Sequence, residues 1–307
     1  MGRRFITSEY IRNLASKDEN LELRKSDILT DDARELAKRL GVFLVGKNSR
    51  KPIVCGNWKM NGDPGFTMNF FENLVSWTGS KRDIFKKIDI MIAPPHPLLL
   101  AALPYVQNSK ILLSAQNGFS VPKGAYTGST SIEMVKNCGA QMVIVAHSER
   151  RNIFKEYDEL FINKIQTSLK LSMTPIFCVG EKLEERETEK MYDVVSSQIL
   201  NVFDNIAKDE IGKIIIAYEP VWAIGTGLTA SSEDISSMHS FIRDLIMKKY
   251  GEQISRNIRI IYGGSVNSKN SFAISKIESV DGVLVGGASL KIEEFKKIIC
   301  NFEEKTV

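Results

Sequence analysis

From residue 52 onward, short runs rich in Val, Ile and Leu recur between longer amphipathic stretches, at 53–58, 88–93, 111–115, 142–147, 175–179, 214–219, 258–262 and 282–285. Near-continuous apolar runs of this length suit strands buried on both faces, and the helix-length gaps between them predict βα units of a parallel sheet. Ser148, followed by Glu149, reads as a helix N-cap, with Ile153, Phe154, Leu160 and Ile162 supplying apolar positions beyond it. Eight such units in residues 51–307 predict an α/β chain closed into a (β/α)8 barrel, for which about 250 residues is typical. An open doubly wound sheet is the alternative. It would carry a glycine fingerprint after its first strand, and residues 56–61 read G-N-W-K-M-N.

Residues 1–50 follow another pattern. Thr30 can cap a helix in which Ala33, Leu36, Ala37 and Leu40 fall at i, i+3, i+4 and i+7; Asp31 and Asp32 lie in its first turn, Lys38 and Arg39 in its last, and Gly41 stops it. Residues 7–16 read as a weaker helix, 42–45 as a short strand and 46–51 as a polar linker. A small N-terminal helical extension of this size is marginal by itself, and is expected to dock on the barrel, on a sister subunit or on another protein.

Charge sharpens the division. The chain of 307 residues has 41 Lys and Arg against 37 Asp and Glu, and residues 1–50 hold 11 of the former and 8 of the latter, so the extension carries +3 and the remaining 257 residues +1. A near-neutral body without aromatic and basic residues interleaved argues against a nucleic-acid partner. No apolar stretch approaches the roughly 20 residues that cross a membrane, and Glu9, Asp18 and Glu19 interrupt any leader. Cys55, Cys138, Cys178 and Cys300 lack metal or redox spacing and read as reduced thiols of a cytoplasmic protein.

In a barrel the chemistry gathers where strands end. Glu219 closes the run 214–218, where partial desolvation would raise its proton affinity toward that of a general base; a strand-end acid paired with an arginine is the equal alternative. His147 closes the run 142–146 just before a helix start, whose dipole favours the neutral imidazole. His96 lies among prolines and His239 in a helical stretch, without that setting. Lys59 at the first strand end can offer fixed positive charge to an anion. Glycine turns follow strands seven and eight, at 263–265 and 286–287, where backbone N–H groups can meet a phosphate. Residues 220–230 exceed the 2 to 6 residues usual for such a loop and read as a hinged lid.

These segments, G-N-W-K-M-N (56–61), A-H-S-E-R-R (146–151), Y-E-P-V-W-A-I-G-T-G (218–227), Y-G-G-S-V (262–266) and V-G-G-A-S-L (285–290), resemble the triosephosphate isomerase family in order along residues 51 to about 302. The pairing of a Glu base with a neutral His under a closing loop belongs to that family and is inherited from it. The resemblance implies interconversion of dihydroxyacetone phosphate and D-glyceraldehyde 3-phosphate, an aldose–ketose isomerisation of glycolysis and gluconeogenesis, without cofactor or metal. It implies that Glu219 moves the proton, that His147 polarises the carbonyl, and that Lys59 and Asn57 supply the electrostatic contribution. Gly225, Ser265, Gly286 and Gly287 would hold the phosphate, with Glu149 as a supporting acid near Lys59. It further implies a homodimer through the loop at 116–131, with Thr127 at the tip.

The chain departs from the family pattern at Ser129, where many members have glutamate, at Ala146, where glycine is common, and at Leu228, often a lysine. Residues 26–44 resemble small helical binding modules such as peripheral-subunit-binding domains, and leader segments of some bacterial microcompartment enzymes, which implies a docking or encapsulation role for the extension. Two other functions compete. An inactive barrel used as a scaffold would have lost a catalytic residue, and a sugar-phosphate epimerase or aldolase would need barrel metal ligands or a Schiff-base lysine.

Overall fold

The computed structural model describes residues 4–17, 21–23, 27–40, 42, 44–46, 50–81, 83–224 and 229–306. In the extension, β1 (Phe5–Ile6), α1 (Ser8–Ser16), β2 (Leu21–Leu23), β3 (Ile28–Leu29), α2 (Asp31–Leu40) and β4 (Leu44–Gly46) follow one another. The α2 helix is the one the periodicity predicts, and the Thr30 hydroxyl accepts from the Ala33 N–H at 3.3 Å as its cap.

Four short strands accompany the two helices, three more than the apolar pattern predicts. They pair in parallel, Phe5 with Ile28 and Leu21 with Leu44, so every partner lies 23 residues further on, the offset that also separates the first residues of α1 and α2. The extension is therefore two β–α–β coils stacked in constant register. Neither coil can bury its apolar side alone; together they enclose Ile6, Ile11, Leu21, Ala33, Leu36, Ala37 and Val42.

The eight remaining strands, β5 (Ile53–Asn57), β6 (Asp89–Ala93), β7 (Leu112–Ala115), β8 (Met142–Val145), β9 (Thr174–Val179), β10 (Ile215–Tyr218), β11 (Arg259–Tyr262) and β12 (Gly282–Val285), form a closed parallel barrel in chain order, β12 pairing back onto β5. Alternate residues face opposite ways. Ile53, Cys55, Met91, Ile144, Ile176 and Ile261 pack with one another inside the barrel, whereas Val54, Ile90, Val143, Phe177 and Ile216 pack outward into the larger core with the surrounding helices. Both faces are dry, which explains the unbroken apolar runs.

The junction between extension and barrel is ionic and lies at the N-terminal ends of the strands. Arg50 donates to Asp281 at 2.7 Å and to the Arg256 carbonyl at 3.0 Å; Asp281 also accepts from Arg243 at 2.7 Å and from the Ile260 N–H at 2.8 Å. Lys51 pairs with Asp89 at 2.6 Å, and Asp89 with Arg259 at 2.7 Å. None of the described helices is long and apolar enough to cross a membrane.

Candidate active site

Parallel strands bring all eight C-terminal ends to one rim. There Asn57, Lys59, His147, Glu219, Gly263 and Gly286 line a cavity of about 30 Å³. Residues from five separate strand ends, spread over some 230 positions of sequence, thus meet in a space fit for a few atoms.

Glu219 is 1% exposed. Its Oε2 accepts from the Ser148 N–H at 2.8 Å. Its Oε1 lies 3.2 Å from His147 Nε2 but is buried without a hydrogen-bond partner, so this oxygen is close to the imidazole and still has its lone pairs available. Among the described residues Glu219 makes no ion pair with an arginine, the bland reading of a strand-end acid. The helix Ser148–Asn152 begins at Ser148, and its cap is the imidazole of His147, not the Ser148 hydroxyl that the sequence suggests. Nδ1 accepts from the Glu149 N–H at 3.2 Å. A ring nitrogen that accepts carries no proton, so the neutral ring bears its proton on Nε2, which is the nitrogen facing Glu219. Gly263 makes room for this pair: a Cβ there would stand 2.8 Å from the Glu219 Cγ.

Lys59 sits in left-handed backbone, with φ of 53°, a conformation that an L-residue keeps only when its surroundings impose it. The Asn57 side-chain oxygen accepts from the Lys59 N–H at 3.0 Å. The Gln116 amide donates to the carbonyls of Lys59 and Ala93, both at 2.8 Å. The turn is thereby fixed and aims the ammonium into the mouth, where Nζ meets Glu149 at 2.6 Å. Gln116 was not legible as a site residue. Its signal, a lone amide just past the apolar run 111–115, is shared by many surface glutamines.

Around the lid, Gly225 and Leu228 lie outside the described residues. The near end of the segment 220–230 is tied to a buried acid that sequence reading missed. Glu181 accepts from the Tyr218 hydroxyl at 3.0 Å and from the Trp222 indole at 2.8 Å, and burial pushes its carboxyl above the usual range. The Arg186 guanidinium stacks on Trp222, 4.7 Å from the ring centre. Ser265 donates to the Ala223 carbonyl at 2.8 Å, which places it against the start of the segment expected to form the lid. Gly286 borders the cavity, where a Cβ would reach 3.6 Å from the Lys59 Cε, and Gly287 opens the turn Gly287–Leu290 with no atom close to where its Cβ would stand.

A larger groove of about 590 Å³ adjoins the cavity, shares Asn57, Lys59 and His147 with it and is also lined by Glu149. Its floor is a charge cluster. Lys164, 3% exposed, donates to Glu156 at 2.7 Å and to Asn117 at 2.9 Å, and Arg150 Nε donates to Glu156 at 3.0 Å. Burial resists ionisation of Glu156, but the hydrogen bonds from Arg150 and Lys164 prevail and hold its carboxyl below the usual range. Ser129 stands on the wall, and Met60 at the rim is 94% exposed. Thr127, at the exposed end of the loop, lies outside the groove of its own chain.

A family model described as Triosephosphate isomerase matches residues 52–302. Among curated relatives, the triosephosphate isomerase of Finegoldia magna is 46% identical over 251 residues, 81% of this chain and 98% of that one. That of Alkaliphilus oremlandii is 41% identical over 251 residues, 81% of this chain and 99% of its own. The Phocaeicola vulgatus enzyme is 42% identical over 254 residues, 83% of this chain and all of the relative. With the barrel closed, the rim residues gathered and these likenesses spanning the relatives almost entirely, the chain belongs to the triosephosphate isomerase family.

Proposed function

We propose that the rim cavity is the active site of a triose-phosphate isomerase, interconverting dihydroxyacetone phosphate and D-glyceraldehyde 3-phosphate by proton transfer. The observation that carries the assignment of residues is the unpartnered Oε1 of Glu219, 3.2 Å from the imidazole nitrogen that bears the ring proton. Glu219 takes a proton from the carbon next to the carbonyl while His147 Nε2–H donates to the carbonyl oxygen, giving an enediolate. His147 gives its Nε2 proton to the former carbonyl oxygen and takes the hydroxyl proton from the other enediolate oxygen, and Glu219 then returns its proton to the neighbouring carbon, so that the carbonyl and hydroxyl exchange places. Lys59 lends positive charge to the developing oxyanion and to the phosphate, held in place by Asn57 and paired with Glu149 until substrate arrives. The backbone at Ser265, Gly286, Gly287 and Gly225 takes the phosphate. Lid closure keeps the enediolate from water.

The reading extends to assembly. The groove beside the mouth accepts the loop 116–131 of a second copy, with Thr127 leading, and a homodimer results. Its support is a groove walled by the same loop that would fill it, rimmed by exposed Met60 and Phe154. Residues 1–50 act as an accessory docking segment on a catalytic domain of residues 51–307, and the four free cysteines suit the cytoplasm.

A coupled assay with glyceraldehyde 3-phosphate tests the mechanism. Glu219→Ala should lower kcat by at least about a thousandfold, the range expected for loss of a general base, with unchanged thermal unfolding. A variant turning over at the wild-type rate would overturn the assignment.

A further inference from the structure

Helix α2 buries Ala33, Leu36 and Ala37 on one side. On the other side the exposed residues Asp31, Arg34, Glu35 and Lys38 follow at i, i+3, i+4 and i+7, a single stripe along the helix. Among the described residues none of these four enters an ion pair. Within the helix the i, i+4 neighbours of the stripe are like-signed, Asp31 with Glu35 and Arg34 with Lys38, and only the i, i+3 neighbours, Asp31 with Arg34 and Glu35 with Lys38, are of opposite sign.

Turned end over end, the same stripe complements itself. About a twofold axis crossing between positions 34 and 35, Asp31 faces Lys38 of the partner subunit and Arg34 faces Glu35 of the partner subunit, and each contact occurs twice. All four positions meet the opposite sign. The antiparallel arrangement also sets the acidic first turn, Asp31 and Asp32, against the basic last turn, Lys38 and Arg39, and opposes the helix dipoles. The sister helix α1 has Glu9 in its first turn and no base in its last, so it lacks this property.

We propose that α2 of one chain packs antiparallel on α2 of a second copy, which makes the extension a self-association device. Pairs of solvent-facing charges are individually weak and screened by salt. The contact therefore acts where another interface already couples the chains and raises their effective concentration. It rests on residues 31–38 and on the proposed homodimer, and not on the catalytic assignment.

Carbodiimide treatment of the full-length protein at low ionic strength, which joins a carboxylate to an amine only in contact, tests it by peptide mapping of the cross-linked dimer band. The helical rise keeps Asp31 and Lys38 of one chain about 10 Å apart, so a link between them reports two chains. We expect that link in the wild type, its loss at high salt, and its loss in both Asp31→Lys/Glu35→Lys and Arg34→Glu/Lys38→Glu. A link between the same two positions should return when all four substitutions are combined, which also shows that the helix still folds. Isomerase turnover should stay within about twofold in every variant. Absence of the link in the wild type, or its persistence in either double variant, overturns the proposal, and neither result touches the assignment of Glu219.

Discussion

Ala146 holds φ of 63° at 1% exposure, directly before His147. An L-residue in this conformation costs about 1–2 kcal/mol. Glycine, common here in the family, would relieve that strain, but it adds about 0.5–1 kcal/mol of backbone entropy and removes a buried methyl worth about 0.8 kcal/mol. These contributions nearly cancel. Ala146→Gly should therefore shift the urea unfolding free energy by less than about 1 kcal/mol, while Ala146→Val, β-branched at positive φ in a filled core, should cost at least about 2 kcal/mol. A second residue, His239, is fully buried; burial pushes its imidazole down to about 3, Nδ1 lies 3.3 Å from the Ser279 carbonyl and Nε2 has no hydrogen-bond partner. The folded state refuses a proton that the unfolded chain accepts below about pH 6.5, so stability is complete above that pH and falls toward pH 3 by about 1.4 kcal/mol per unit. Chemical denaturation of wild type and His239→Gln between pH 7 and 4 should show this slope in the first and a shallower one in the second.

Among the elements, the eight barrel strands were legible because burial on both faces leaves an apolar run with nothing polar to interrupt it. The rim residues were legible because each ends such a run. Glu181 and Gln116 were not: each acts on a neighbour, Glu181 on Trp222 and Gln116 on the Lys59 turn, and a supporting role has no local spacing. Strands of two or three residues, such as Phe5–Ile6 and Ile28–Leu29, are too short for an alternation to register. Their identity lies in a 23-residue offset that sets Phe5 against Ile28 and Ile6 against Leu29, which keeps the apolar position but not the residue type. Gln116 carries a prediction at this level. Gln116→Leu leaves the Lys59 carbonyl without a donor, while that of Ala93 keeps only the Trp58 N–H at 3.1 Å, and it frees the strained turn, so kcat/KM should fall about tenfold while KM for substrate rises, as expected when the fixed cation drifts. Gln116→Asn, too short to bridge both carbonyls, should not restore it.

For the whole molecule, the groove beside the mouth makes catalysis and assembly one question, since Asn57, Lys59 and His147 line both cavities. Met60→Glu puts a charge on the exposed rim that the proposed second copy would cover. Sedimentation should then move toward the 34.5 kDa chain mass, with kcat falling as the dimer dissociates; a variant that stays dimeric at low concentration would contradict the proposed interface. Lastly, Arg50 and Lys51 fasten the incoming chain to Asp281 and Asp89, beside the first residues of the strands, whereas Glu219 and His147 follow the last ones. Anything that holds the protein by its N-terminal extension therefore grips it from behind. An array of such enzymes, anchored to a surface or to one another, would keep every substrate entrance turned outward, and crowding the anchors would leave diffusion to the sites unobstructed.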